Sequence, residues 1–256
     1  MNTTPNGAVA LTVDDGIATI IIHNAARANA LTREMLTAMG GHLDAVERNP
    51  AVAVVVLTGA GGNFCAGLDI SQFAHSHERR LEDDFVTIEE KLARCRKPTI
   101  AAVAGHCIGG GTQLAVACDL RIAAEQASFA ITPAKLGLVY PSSSIDRLVR
   151  IIGPAATKRL IFTADALTAS TARQYGLITD IAPEAEFDAV VRRIASTIAT
   201  RSPMTLAAAK QMTDEAAAHG RVSDQLDRHW RTMPNPDLVA GLAAFTAGRT
   251  AQFRTT

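Results

Sequence analysis

The sequence predicts an α/β fold in which parallel strands are connected by helices. Short β-rich runs alternate with amphipathic helical patterns over residues 8–130, which is typical of parallel strands joined by helical crossovers. From Ser142 onward the pattern is helical, with breaks at Gly or Pro. The chain has 256 residues, of which 48% are hydrophobic, and that suits one large core with a helical appendage. We therefore expect a core over residues 1–195 and a helical region over residues 196–256.

The first elements follow from local patterns. Residues 8–13 and 17–23 are β-rich and flank a tight-turn signal, Asp-Asp-Gly, so they predict a hairpin. Residues 32–48 carry apolar side chains at helical spacing, and Thr32 is a suitable N-cap. Further along, the same criteria predict strands at residues 52–58, 99–104 and 120–124, and helices at residues 79–96 and 109–117.

Charge and cysteine usage exclude several classes of function. Lys plus Arg and Asp plus Glu balance at 25 each, and no basic stretch carries interleaved aromatic residues, so we expect no nucleic-acid partner. We expect no membrane partner and a cytoplasmic location, because the apolar runs are short and no secretory signal pattern is present. The four cysteines lack metal-ligand spacing, so we expect buried thiols and no metal site.

Two glycine-bearing turns about forty residues apart are the candidate functional feature. Residues 64–70 (FCAGLDI) and residues 105–113 (GHCIGGGTQ) each follow a predicted strand. Each turn can direct a backbone N–H at one point, and the second opens a helix, where free N–H groups and the helix dipole favour an anion. Two such donors aimed at one oxygen form an oxyanion hole, which stabilises negative charge developing on a carbonyl. The two turns therefore predict a site that polarises an acyl group.

Four segments carry a resemblance to a known family: residues 24–31 (NAARANAL), 64–70, 109–111 (GGG) and 167–178 (LTASTARQYGLI). Together and in this order they resemble the crotonase superfamily, also called the enoyl-CoA hydratase/isomerase family. The resemblance covers nearly the whole chain. It implies a crotonase-like spiral of repeated β-β-α units with a helical C-terminal trimerisation region, and a homotrimer or a dimer of trimers. It also implies acyl-CoA thioester substrates, with coenzyme A as part of the substrate and no separate cofactor. The family's enolate-stabilising N–H donors fall on Leu68 and Gly110.

The chain departs from the hydratases of this family, which use two glutamates. The resemblance places those positions at Gln113 and Pro133, and no Asp or Glu occurs between residues 126 and 144. An amide can hold a water but cannot shuttle a proton near neutral pH. Residues 129–140 instead resemble the methylmalonyl-CoA decarboxylase branch, which implies a role for Tyr140. Loss of CO2 from a malonyl-type thioester needs an enolate stabiliser and a weak acid, but no strong base.

Three functions are open at this point. The leading hypothesis is an acyl-CoA decarboxylase or related carbon–carbon lyase. The second is a divergent enoyl-CoA hydratase or isomerase whose base comes from residues 71–84, and the third is a non-catalytic acyl-CoA-binding trimer. The acids available to the second are Glu78, Glu82, Asp83 and Asp84.

The expected site residues fall into two groups. The expected catalytic residues are Leu68, Gly110, Tyr140 and Gln113. The expected substrate-binding residues are Arg27, Ala28, Ala66, Asp69, Ile70, Thr132, Pro133, Ser142, Phe245 and Arg249.

Four of these residues also carry structural expectations. Asp69 is expected to cap the local turn, and Ser142 is expected to lie at a helix N-cap. Phe245 and Arg249 are four residues apart, so we expect them on one face of the last helix.

Overall fold

The structure is a computed structural model that describes residues 7–71 and 80–253. Within these residues the strands are β1 Ala8–Asp14, β2 Ile17–His23, β3 Val54–Gly59, β4 Thr99–Val103, β5 His106–Ile108, β6 Leu120–Ala124, β7 Ser128–Ala130, β8 Leu167–Thr168 and β9 Asp180–Ala182. The helices are α1 Arg33–Arg48, α2 Leu81–Ala93, α3 Gly110–Ala117, α4 Pro133–Leu136, α5 Ser142–Thr163, α6 Ala169–Gln174, α7 Phe187–Ala199, α8 Pro203–His219, α9 Asp224–Thr232 and α10 Pro236–Thr246.

A six-stranded sheet in the order β1-β2-β3-β4-β6-β9 forms the centre of the fold. The hairpin of β1 and β2 is antiparallel, and every other neighbouring pair in this sheet is parallel. Both the hairpin and the parallel arrangement confirm the prediction. A second sheet in the order β5-β7-β8 was not predicted, because strands of two or three residues are too short to carry a recognisable period of two.

Alternate residues of the central strands pack against opposite faces of the main sheet. Val55 and Leu57 belong to the larger core cluster, which includes the buried side chains of α1, α2 and α3. Val54 and Val56 belong to a smaller cluster that α7 covers. Strands buried on both faces read as continuous apolar runs, and the predicted strand at residues 52–58 has that pattern.

Helix α1 shows how local sequence places a core element. The Thr32 side chain accepts a hydrogen bond from the Met35 N–H at 3.3 Å, as expected of an N-cap. The buried side chains Leu36, Met39 and Leu43 then recur at helical spacing. The prediction for residues 32–48 is confirmed. The predicted helix over residues 79–96 is shorter in the structure and begins at Leu81.

The C-terminal helices are less deeply packed than the core. Helices α8 and α9 bury no residue fully, and α10 buries Ala244 alone. Lys210 of α8 is anchored to the core by an ion pair with Asp119, with 2.8 Å between Nζ and Oδ2. The predicted division between residues 195 and 196 falls inside α7, whose Ala195 is buried against the main sheet. That division stays a prediction.

None of the described helices combines the length and the hydropathy that a membrane-spanning helix needs.

Candidate active site

Backbone hydrogen bonds hold the two glycine turns side by side. The Cys65 N–H donates to the His106 carbonyl at 2.9 Å, and the Ile108 N–H donates to the Cys65 carbonyl at 2.9 Å. These bonds join the first turn to β5, which leads directly into α3. The tertiary structure therefore brings together the two turns that the sequence predicts to act as one site.

Two backbone hydrogen bonds join the first turn to Leu31. The Leu31 N–H donates to the Gly67 carbonyl at 2.8 Å, and the Asp69 N–H donates to the Leu31 carbonyl at 2.9 Å. The Leu68 N–H lies between these two bonds and has no acceptor among the described residues. Leu68 also lines a cavity.

The second turn supplies another N–H at a helix N-terminus. The Gly109 N–H donates to the Ala130 carbonyl at 2.8 Å, and α3 begins at the next residue. Within the described part of the chain, the Gly110 N–H has no acceptor, as expected for the first residue of a helix. The helix dipole adds partial positive charge at this end.

Close backbone approach explains the glycines at two of these positions. A Cβ placed on Gly67, whose φ is +94°, would lie 3.0 Å from the Gly110 nitrogen. A Cβ placed on Gly111 would lie 2.1 Å from the Cys65 carbonyl oxygen. Only glycine allows the two turns to meet this closely, and the meeting places Leu68 and Gly110 at one cavity.

The cavity has a volume of about 560 Å³, within the range of roughly 300–1,000 Å³ typical of ligand sites. Eight of the predicted site residues line it. They are Ala66, Leu68, Ile70, Gly110, Gln113, Thr132, Pro133 and Tyr140. Phe85 of α2 also lines it, and its ring lies 3.1 Å from where a Cβ on Gly110 would be. Sequence reasoning did not identify Phe85, although the helical period of α2 marks it as inward-facing.

Gln113 lies one turn into α3, and its N–H donates to the Gly109 carbonyl at 3.2 Å. The residue is 5% exposed, and its Nε2 is buried with no hydrogen-bond partner among the described residues. The other residues of α3 are also buried. The amide nitrogen is thus a buried polar atom among the buried residues of α3, with no described hydrogen-bond partner.

Two hydroxyl groups approach the same turn. A Cβ placed on Gly109 would lie 3.6 Å from Thr132 Oγ1 and 3.7 Å from Tyr140 Oη. Burial raises the pKa of Tyr140 well above its usual value, and the negative charge of Glu89 acts in the same direction. Tyr140 is therefore a neutral phenol at any physiological pH, and a neutral phenol can donate a hydrogen bond.

The carboxylates of the cavity lie on the first turn of α2. Glu82 and Asp83 line the cavity, and Asp83 is exposed. Glu82 contacts Arg80, with 3.1 Å between Nη2 and Oε1. Asp84 forms an ion pair with Arg33 instead. The fourth acid considered for this role, residue 78, lies outside the described residues.

A buried carboxylate behind the cavity was missed by sequence reasoning. Glu89 of α2 is fully buried; it accepts a hydrogen bond from Ser144 Oγ at 2.7 Å and forms an ion pair with Arg147. Burial raises the pKa of Glu89, although the positive charge of Arg147 acts in the opposite direction. Ser144 and Arg147 follow Glu89 by more than fifty residues, so no local pattern could have paired them.

Arg27, Ala28 and Asp69 lie beside the first turn and do not line the cavity. Arg27 forms an ion pair with Asp69 and donates to Ser71 Oγ at 2.9 Å. The Ala28 carbonyl accepts from the Ala66 N–H at 3.0 Å. These contacts hold the early loop of residues 24–31 against the first glycine turn.

Asp69 caps the local turn as predicted, because its Oδ1 accepts from the Ser71 N–H at 3.1 Å. Burial disfavours the ionised form, but the hydrogen bonds from Ser71 and the charge of Arg27 outweigh it. The pKa of the Asp69 carboxyl is therefore lowered from its ordinary value.

Two structural expectations were wrong. Ser142 is the first residue of α5, whose N-cap is Pro141, because Pro141 already has the extended backbone that a cap position requires. Ser142 lines a different crevice, beside Arg147. Arg249 lies beyond α10, which ends at Thr246, because the chain turns at a left-handed glycine before it. Phe245 is on α10 and is 85% exposed.

Among the described residues, no group of three or more His, Cys, Asp or Glu side chains is arranged to hold a metal ion. The four cysteines are free and buried, as predicted. Burial raises the pKa of Cys65, within the first turn, to about 12, so its thiol is not a nucleophile near neutral pH.

Comparison with known proteins agrees with this geometry. The family model described as enoyl-CoA hydratase/isomerase matches residues 12–255. The crotonyl-CoA hydratase of Syntrophomonas wolfei is 30% identical over 96% of this chain and 97% of its own length. The peroxisomal Δ(3,5)-Δ(2,4)-dienoyl-CoA isomerase of Arabidopsis thaliana is 32% identical over 77% of each chain.

A solved enoyl-CoA hydratase from Bacillus anthracis superposes with a TM-score of 0.89 at 29% identity, covering 96% of this chain and 98% of that one. The fold predicted by the resemblance is thereby confirmed. The chain belongs to the enoyl-CoA hydratase/isomerase family of the crotonase superfamily.

Proposed function

We propose that this protein binds an acyl-CoA thioester and stabilises its enolate between the N–H groups of Leu68 and Gly110. The observation that carries the proposal is that both N–H groups lack an acceptor in the described chain and belong to residues that line one cavity. One such donor contributes about 2.7–4 kcal/mol to the stability of an oxyanion transition state.

The substrate class follows from the relatives and the cavity together. The names of the relatives above specify a crotonyl-CoA and a dienoyl-CoA substrate, and both are unsaturated CoA thioesters. The apolar wall formed by Phe85 and Leu138 suits a hydrocarbon portion of an acyl chain. We propose an unsaturated acyl-CoA as the substrate.

The relatives support a hydratase or isomerase better than the decarboxylase that led the sequence-based hypotheses. Hydration in the usual manner of the family needs two acids, and Gln113 and Pro133 occupy those positions. Isomerisation of a double bond needs only one base, which removes a proton from one carbon and returns it to another. Glu82 or Asp83 on α2 is available for that task. We therefore propose a double-bond isomerase that uses a base on the first turn of α2.

Decarboxylation is the second candidate, and one observation favours it. The polar side chains of the cavity lining beside the second glycine turn, Gln113, Thr132 and Tyr140, are all neutral. A neutral environment accepts a substrate that carries its own carboxylate, whereas a nearby acid would repel it. Tyr140 would then protonate the enolate after CO2 leaves.

The test is mass spectrometry of the protein in D2O with 3-hexenoyl-, crotonyl-, malonyl-, methylmalonyl- and ethylmalonyl-CoA. We expect the protein to isomerise 3-hexenoyl-CoA and to incorporate solvent deuterium into the product. This isomerase activity should be lost in Glu82→Gln or in Asp83→Asn. The matched control is Asp224→Asn on α9, which is 89% exposed. Loss of CO2 from a malonyl ester, reduced in Tyr140→Phe, would establish the second candidate instead.

Two outcomes would contradict an isomerase of this kind. Hydration of crotonyl-CoA at ordinary hydratase rates would mean that a second acid acts in the site. Tight binding of every ester with no turnover would favour the non-catalytic acyl-CoA-binding trimer.

Assembly and location are also proposed. Helix α10 exposes four apolar side chains, Leu238, Val239, Leu242 and Phe245. Contact with another copy of the chain would bury this apolar surface, which favours association. We expect a homotrimer or a dimer of trimers and a cytoplasmic protein. Sedimentation analysis of the wild type and of Phe245→Glu tests the assembly.

A further inference from the structure

Two consecutive residues beside the first glycine turn have left-handed backbone angles. Ala28 and Asn29 have φ values of +46° and +62°. Left-handed angles are uncommon outside glycine, and they store strain that persists only where the surrounding structure holds the backbone. The Ala28 carbonyl accepts the Ala66 N–H at 3.0 Å, so the strained pair is in direct contact with the first glycine turn. Some other contact must hold these two residues in place.

The side chain of Asn29 supplies that contact. The residue has no exposed surface. Its Oδ1 accepts the Asn24 N–H at 2.8 Å, and its Nδ2 donates to the carbonyls of Ala60 at 2.8 Å and Asn63 at 2.7 Å. An amide nitrogen has two hydrogens to donate, and both are used. One buried side chain therefore ties the early loop to the segment that leads into the first glycine turn.

The early loop in turn sets the direction of the Leu68 N–H. The Leu31 N–H donates to the Gly67 carbonyl at 2.8 Å, and the Leu31 carbonyl accepts the Asp69 N–H at 2.9 Å. The Gly67 carbonyl and the Leu68 N–H belong to the same peptide group. Because a trans peptide group is planar, its carbonyl and its N–H point in opposite directions. The bond from Leu31 to Gly67 therefore also fixes where the Leu68 N–H points.

The segment that Asn29 holds also reaches the second turn. Asn63 Oδ1 accepts the His106 N–H at 3.0 Å, and the Phe64 N–H donates to the His106 carbonyl at 3.1 Å. His106 begins β5, which leads to Gly110. The Asn29 side chain is thus joined through hydrogen bonds to the backbone of both glycine turns.

We infer that Asn29 is a positioning residue that fixes the direction of the Leu68 N–H through the early loop. This inference rests on the proposed function, in which that N–H stabilises the thioester oxygen. Asn29 does not line the cavity, so it acts on a ligand only through the backbone that it holds. Loss of its side chain should therefore weaken the polarisation of the thioester carbonyl more than it weakens binding of the ester.

The test is infrared spectroscopy of bound butyryl-CoA labelled with carbon-13 at the thioester carbon. This saturated ester has no double bond to isomerise or hydrate, so turnover does not interfere. Hydrogen bonds to a carbonyl oxygen weaken the C=O bond and lower its stretching frequency. We expect binding to the wild type to lower this frequency relative to that of the ester in water, because preorganised donors polarise the carbonyl.

Asn29→Gly removes the three side-chain hydrogen bonds and keeps a residue that readily adopts a positive φ. We expect this variant to lose about half of the frequency shift or more, because one of two donors is displaced. Its Kd for butyryl-CoA, measured by calorimetry, should stay within about threefold of the wild-type value, less than 1 kcal/mol. Asn29→Asp is the second variant, in case the glycine variant does not fold. It keeps the shape of the side chain and the acceptor for Asn24, and an ionised carboxylate has no hydrogen to donate.

The matched control is Asn49→Gly at the end of α1. It removes one side-chain hydrogen bond, from the Ala51 N–H to Asn49 Oδ1, and Asn49 is not part of the cavity lining. This variant should keep the full frequency shift, whatever its effect on Tm.

The outcomes separate the inference from the proposed function. Full retention of the shift in both Asn29 variants would overturn the inference and leave the proposed function standing. A parallel loss of the shift and of ester binding, or failure of both variants to fold, would assign Asn29 a structural role only and also overturn it. Absence of a shift in the wild type, or failure of the ester to bind, would overturn the proposed function and, with it, the inference.

Discussion

The close contact at Gly111 allows a sharp test of how the oxyanion site is assembled. In Gly111→Ala the new Cβ would lie 2.1 Å from the Cys65 carbonyl oxygen and 2.9 Å from its carbon. That oxygen accepts the Ile108 N–H, a bond that holds the two glycine turns together. Backbone atoms cannot rotate away as a side chain can, so the turns must separate.

Gly41→Ala is a matched control, because both glycines lie inside helices and neither has a positive φ. Alanine in a helix interior is favoured over glycine by about 1 kcal/mol. A Cβ on Gly41 would have no atom within 4 Å, so Gly41→Ala should gain the helix-propensity stabilisation with no steric cost. At Gly111 overpacking costs about 3 kcal/mol, which leaves a net loss of about 2 kcal/mol.

The assay combines thermal unfolding with kinetics on the substrate that the thioester panel identifies. For a chain of this size 1 kcal/mol shifts Tm by about 2–4 °C. We expect Gly41→Ala to raise Tm by about that amount and Gly111→Ala to lower it by about 4–8 °C. Displacement of one donor should also reduce kcat about 10²- to 10³-fold in Gly111→Ala. Normal kcat with a raised Tm in this variant would refute the proposed assembly of the two turns.

Three further predictions concern titratable groups. The pKa of Asp69 is lowered, despite burial, by its hydrogen bonds and ion pair. The folded state should therefore lose stability as pH falls below about 3.8. In Asp69→Asn, acid unfolding should lack this pH-dependent loss of stability. Burial keeps Cys65 as a thiol, with a pKa of about 12, so a thiol reagent at pH 8 should label the protein only on unfolding; rapid labelling of the native protein would contradict this. Glu89→Gln weakens the buried contact with Arg147 and should cost about 1–3 kcal/mol; an unchanged Tm would show that the contact contributes nothing.

Much of the fold could be predicted because the relevant signals are local. The hairpin depends on a turn between two β-rich runs, and α1 depends on Thr32 and the apolar period that follows it. The short strands β5, β7 and β8 carry no such period. Their pairing is decided by contacts between distant segments, so the second sheet could not be predicted from these residues.

The candidate site was predicted in part, and the failures have physical causes. Eight predicted residues line the cavity, because the glycine turns and the segment before Tyr140 are recognisable in the sequence. Ser142 is not the predicted N-cap and Arg249 is not on the last helix. The exact end of a helix depends on one or two backbone angles, which the sequence pattern does not specify. Phe85 was missed because an apolar residue on an amphipathic helix indicates burial but not the neighbour that it covers.

The sequence alone therefore determined the type of fold, the two glycine turns and the absence of acids at Gln113 and Pro133, because each of these depends on residue identity and short spacing. Only the tertiary structure decided that Leu68 and Gly110 line one cavity and that Gln113 Nε2 has no described partner. Whether a polar group is satisfied depends on every atom packed around it, and those atoms come from segments far apart in the chain.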